Sequence, residues 1–117
     1  MRPLVAGAVA LALALPAAAP AHSLLLESSP PAGATVRSPA RLSLRFNNRV
    51  EKALSRLRLV DARGAAQPLI VLVGEGAADR LDAALPALAP GVYRVDWQVL
   101  STDGHIVTGR FSFGVAP

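Results

Sequence analysis

The chain has 117 residues, 52% of them hydrophobic, with 12 Lys and Arg against 8 Asp and Glu and no cysteine. That length supports one domain around a single core, and the missing thiols exclude disulfides, thiolate zinc sites, iron–sulfur clusters and cysteine nucleophiles. The arginines are scattered and aromatic residues make up only 4% of the chain, a poor match to a nucleic-acid-binding surface.

Arg2 supplies a small positive charge ahead of an apolar run from Leu4 to Leu15, which Pro16 ends. Ala19 and Ala21 then give the small-x-small pattern read by a signal peptidase. The run is about a dozen residues long, short of the roughly 20 that a spanning helix needs. Residues 1–21 are therefore expected to be a cleaved signal peptide, and residues 22–117 an exported domain of 96 residues that opens with His22. Cleavage after Ala19 is the alternative, and it leaves His22 third from the amino terminus. The mature domain keeps 11 basic and 8 acidic side chains, a net charge of +3. Losing Met1 with the leader removes the one thioether, and with it any soft sulfur ligand for Cu(I).

Along the mature chain the signals are those of strands. The segment His22–Ser28 reads as a short strand stopped by Ser29-Pro30-Pro31-Ala32-Gly33, since proline has no amide to give a ladder. From Arg41 to Asn47 the pattern has period two, with Leu42, Leu44 and Phe46 on one face and Arg41, Ser43 and Arg45 on the other. Arg37, Arg41, Arg45 and Arg49 also recur every fourth residue, but Ser38-Pro39 interrupts any helix there, and the apolar positions do not follow a helical period. Ala53–Val60 continues with Leu57 and Leu59 inward, and Asp61-Ala62-Arg63-Gly64 closes it as a turn. Leu69–Val73 is an unbroken apolar run that predicts a strand covered on both faces. Arg80–Leu85 alternates again. After Pro90-Gly91, Tyr93, Val95, Trp97 and Val99 share one face while Arg94, Asp96 and Gln98 share the other. Phe111, Phe113 and Val115 mark the last strand, and Trp97, in register with Tyr93 and Val95, is expected to be a core anchor. About seven strands at intervals of roughly 8–12 residues predict an all-β sandwich of immunoglobulin-like type.

His22 and His105 are the only histidines. A new amino terminus at His22 offers its α-amine beside the imidazole Nδ1, and the amine's pKa of about 7.7–8.0 makes its deprotonation by a metal inexpensive near neutral pH. Asp103 and His105 flank Gly104, so a carboxylate and an imidazole can approach one point from a tight turn. Three nitrogens and one oxygen suit tetragonal Cu(II). Zn(II) accepts the same donors, but the Irving–Williams order favours copper. Glu27 and Asp96 are candidates to support these ligands, with an ordinary surface role the preferred reading of both. Arg94 and Arg110 read as surface charges.

These features together resemble the periplasmic copper-resistance protein C family, CopC. The likeness is carried by His22, Ser28-Ser29-Pro30-Pro31-Ala32-Gly33-Ala34, Leu44-Arg45-Phe46, Ala89-Pro90-Gly91-Val92-Tyr93-Arg94-Val95, Trp97, Ser101-Thr102-Asp103-Gly104-His105, Thr108-Gly109 and Phe111-Ser112-Phe113. It implies a seven-stranded sandwich or barrel of cupredoxin-like or immunoglobulin-like shape. It also implies one Cu(II) held by the amine and imidazole of His22, the His105 imidazole and the Asp103 carboxylate, and a CopD-type inner-membrane transporter as partner. Two departures stand out: the Met-rich loop that holds Cu(I) in some members is missing, and Asn47-Asn48 replaces an acidic residue found in others. The expected role is a copper carrier or buffer without catalytic residues. Two other classes fit parts of the pattern. One is a histidine-brace copper oxygenase, for which Asp103 as a ligand and 96 residues leave little open coordination or substrate surface. The other is a metal-free immunoglobulin-like interaction module, which Cu(II) would not stabilise.

Overall fold

The computed structural model describes residues 24–117; the leader, its cleavage site and His22 lie outside the described residues. The period-two segments become strands that bury their apolar side. Leu42, Leu44 and Phe46 have no exposed surface, and Leu59, Val95 and Val99 are equally covered. In chain order the elements are β1 (Leu25–Ser29), β2 (Thr35–Val36), β3 (Arg41–Phe46), a single 3-10 turn (Lys52–Leu54), β4 (Arg56–Asp61), β5 (Ala66–Gln67), β6 (Ile70–Val71), β7 (Arg80–Ala84), β8 (Gly91–Leu100) and β9 (Ile106–Val115). They form a four-stranded sheet, β1-β3-β7-β6, and a five-stranded sheet, β2-β9-β8-β4-β5. Among the described residues no helix is long and apolar enough to cross a membrane.

Between the sheets, Leu42, Leu44, Phe46, Leu81 and Ala83 on one side meet Leu57, Leu59, Tyr93, Val95, Trp97, Val99, Phe111 and Phe113 on the other. Trp97 is the anchor its register predicts, 8% exposed and edge-on to Phe46 with ring centroids 5.3 Å apart. Tyr93 stacks on Phe113, and its hydroxyl donates to the Ala89 carbonyl at 2.6 Å, so its polar end is satisfied.

The indole of Trp97 needs a gap in the neighbouring strand. Gly109 is its directly opposed residue on β9, and a Cβ there would lie 2.3 Å from Trp97 Cζ2. Gly109→Ala should therefore force the ring or the strand to move, at a cost of about 1–3 kcal/mol for overpacking. Urea unfolding checks this, and an unchanged midpoint would show that the ring has room to shift.

The structure departs from the sequence reading in three places. The Leu69–Val73 run is not a strand buried on both faces: only Ile70 and Val71 pair, at the sheet edge, and Ile70 and Val73 are 68% and 53% exposed. In a sandwich of two sheets each strand turns only one face to the other sheet, and Gly74-Glu75-Gly76 turns the chain away. Ala53 lies in the 3-10 turn, so β4 begins at Arg56. Among the described residues the strands number nine, three of them two residues long. One of these, β2, pairs parallel to β9, a contact that no periodicity could announce.

Candidate metal centre

The long β8–β9 hairpin is paired from Gly91 with Val115 to Leu100 with Ile106, and its connecting turn, 101–105, carries Asp103 and His105. Gly104 takes φ +86°, a conformation that favours glycine. The Ser101 amide donates to the His105 carbonyl at 2.9 Å and the Gly104 amide to the Ser101 carbonyl at 3.0 Å. Ser101 is 2% exposed; its hydroxyl lies against Asp103 Oδ1 and the His105 carbonyl oxygen at 3.0 Å. The His105 amide also donates to Asp103 Oδ1, at 3.1 Å. One carboxylate oxygen thus closes the turn, and the other, Oδ2, lies 3.0 Å from His105 Nδ1.

The Asp103 carboxyl is held down to about 2, first by the Ser101 hydroxyl, then by the His105 ring and backbone amide. It is an anion at neutral pH, beside an imidazole whose side chain is 61% exposed. The spacing fits a metal. Donors about 2.0–2.2 Å from one ion and at right angles to each other stand roughly 2.9 Å apart, close to the observed Oδ2–Nδ1 distance. A cation on this edge would take the place of the direct Oδ2–Nδ1 contact.

The first described residue is tied to the same end of the sandwich. Leu24 donates its amide to Asn47 Oδ1 at 2.6 Å, and the Asn47 amide returns a bond to the Leu24 carbonyl at 3.0 Å. Val50, three residues on, forms a bridge with Ser101, and the Glu51 amide donates to the Leu100 carbonyl at 2.9 Å. Asp103 and His105 are therefore brought together, whereas His22 lies outside the described residues. Among the described residues no group of three or more His, Cys, Asp or Glu side chains could hold a metal.

Glu27 and Asp96 are engaged elsewhere. Glu27 accepts from Arg45 Nε at 2.8 Å, a bond that lowers the Glu27 pKa, and Asp96 takes two bonds from Arg94 at 2.9 and 3.0 Å. Both have the surface role preferred for them. Sequence reasoning missed Ser101 as the buttress of the turn and Asn47 as the clamp on Leu24. The first had a local signal, a serine two residues ahead of an aspartate in a turn; the second joins residues 23 apart and had none.

Two antiparallel-dominated sheets, with an Asp-Gly-His turn at one end of the sandwich, define a small all-β domain that presents a candidate metal centre on a hairpin. The chain belongs to the CopC domain family, which matches residues 25–116. It is 34% identical over 106 residues to Copper resistance protein C of Xanthomonas campestris pv. juglandis, covering 85% of this chain and 84% of that one. Among solved structures it is similar to CopC from Methylosinus trichosporium OB3b, with a TM-score of 0.78 and 38% identity over 82% of this chain and 95% of that one. It is also similar to PcoC, a methionine-rich copper resistance protein from Escherichia coli, with a TM-score of 0.71 and 29% identity over 81% of this chain and 99% of that one.

Proposed function

We propose that the mature chain is a periplasmic Cu(II)-binding protein that buffers, sequesters or delivers copper, holding one ion through the amine and Nδ1 of His22, the His105 imidazole and the Asp103 carboxylate. The observation that supports this reading is the pair of ties, Leu24 with Asn47 and Val50 with Ser101, that put the start of the described chain at the same end of the sandwich as the Asp103–His105 turn. Two residues of extended chain reach at most about 7 Å, so an amino terminus at His22 would start close to the end of the sandwich where Asn47, Val50 and Ser101 lie. The relatives named for copper resistance support the same metal. PcoC is described as methionine-rich, while this chain has a single Met, at position 1. The site therefore works with nitrogen and oxygen donors and suits Cu(II) rather than Cu(I). A CopD-type membrane transporter is the natural recipient. With Asp103 in a ligand position the chain is a carrier and not an oxygenase.

Equilibrium dialysis of the mature domain against Cu(II) tests the proposal. Outer-shell changes alone cost about 10–100-fold in metal affinity, so His105→Ala should cost at least about tenfold. Asp103→Ala should cost less than His105→Ala, because imidazole is the better copper donor. Absence of tight binding by the unaltered domain would end the proposal, and a larger loss from Asp103→Ala would reassign the dominant donor.

A further inference from the structure

The outer faces of the two sheets treat their charges differently. On the four-stranded sheet, Arg41 pairs with Glu75 and Asp82, Arg45 pairs with Glu27, and Arg80 lies close enough to Glu27 to lower its pKa; three arginines meet three carboxylates. On the five-stranded sheet the outward row across β4, β8 and β9 is Arg58, Asp96, Arg110, and the next is Arg56, Gln98, Thr108. Asp96 is the one carboxylate on these rows, and both of its oxygens are taken by Arg94. Among the described residues no carboxylate lies within 4.0 Å of Arg56, Arg58 or Arg110. This face carries +3, the whole net charge of the mature domain, and the remaining charges cancel.

We propose that this face docks the domain on an anionic phospholipid bilayer. Arg56, Arg58 and Arg110 stand together on one outward sheet surface and line an open depression of about 340 Å³. At the two ends of the patch, also in outward register, Ile106 and Val92 are 64% and 57% exposed. Arginines at headgroup depth with aliphatic side chains reaching just beneath them are the composition of a membrane-surface contact. A nucleic-acid backbone gains little from the two aliphatic groups, whereas an acidic protein would bury them as a bilayer does, and the vesicle experiment separates that partner from lipid. The choice of lipid over nucleic acid also rests on the export reading; copper binding plays no part in it.

Co-sedimentation of the metal-free mature protein with vesicles tests the inference. Binding is expected to vesicles of phosphatidylglycerol with phosphatidylcholine and not to phosphatidylcholine alone. It should fade as salt shortens the Debye length from about 30 Å at 0.01 M to about 8 Å at 0.15 M. Each surface arginine contributes roughly fivefold, so the triple variant Arg56→Gln, Arg58→Gln, Arg110→Gln should lower partitioning about 100-fold while still binding Cu(II). A control, Arg37→Gln, Arg49→Gln, Arg63→Gln, removes the same charge from exposed positions elsewhere and should keep most of the binding. Equal losses in the two variants would reduce the effect to net charge and overturn the proposal. So would no binding to the anionic vesicles, or retention on single-stranded DNA without retention on lipid.

Discussion

One residue added ahead of His22 is expected to lower the Cu(II) affinity of the mature domain by more than about 100-fold, beyond the 10–100-fold typical of outer-shell changes. The extension converts the terminal amine into an amide, which keeps its proton near neutral pH and cannot serve as the same donor. It also breaks the chelate that amine and Nδ1 form on one residue, so two of the four proposed donors are weakened at once. Asp103 and His105 stay where Ser101 and the turn backbone hold them, and a protein left with that pair retains only a weak site. The fold should not notice, because the described ties begin at Leu24. Titration of Cu(II) alongside thermal unfolding without metal separates the two effects. Unaltered affinity in the extended protein would remove the amine from the coordination sphere and leave the family resemblance without this ligand set.

Phe46→Ala should cost about 3–5 kcal/mol, the usual loss for a fully buried phenylalanine. Phe46 has no exposed surface, lies edge-on to Trp97 and donates its backbone amide to the Asp79 carbonyl at 2.8 Å. Removing the ring deletes contacts from both sheets in the layer where they meet. In a domain of this size each kcal/mol lowers the midpoint by about 4–8 °C, so thermal unfolding should begin at least about 12 °C lower. A drop of only a few degrees would mean that Trp97 and the neighbouring leucines collapse into the space. Asn47, which clamps Leu24, is the next residue, so weaker copper binding should accompany the lost stability.

The strands that face the core were legible because each alternates: Leu42, Leu44 and Phe46, then Leu57 and Leu59, then Tyr93, Val95, Trp97 and Val99, all became buried. Alternation reports which side is covered but not by what, so it could not give the strand order or the parallel pairing of β2 with β9. The Leu69–Val73 run misled because apolar character without alternation leaves edge and centre indistinguishable. Asp82 shows the converse. It sits in an alternating segment yet is 2% exposed, because Ser43 bonds it at 2.5 Å, Arg41 approaches it and the chain around Gly76 packs over it. The Asp103–His105 pair could be read from spacing because the turn is local. The basic face could not, since its rows join residues distant in sequence, such as Arg58, Asp96 and Arg110.

The two flanks of β9 are unequal. One is paired with β8 along all ten residues, while β2 reaches the other only at Gly114 and Val115, helped by the bond from the Gly33 amide to the Ser112 carbonyl. Among the described residues, that flank offers from Ile106 to Phe111 peptide groups with no strand partner, the kind of rim along which copies of a chain can join into larger assemblies. Antiparallel joining there would bring two Arg110 guanidinium groups into one short ladder, and their repulsion works against self-association along that side of the hairpin that carries Asp103 and His105.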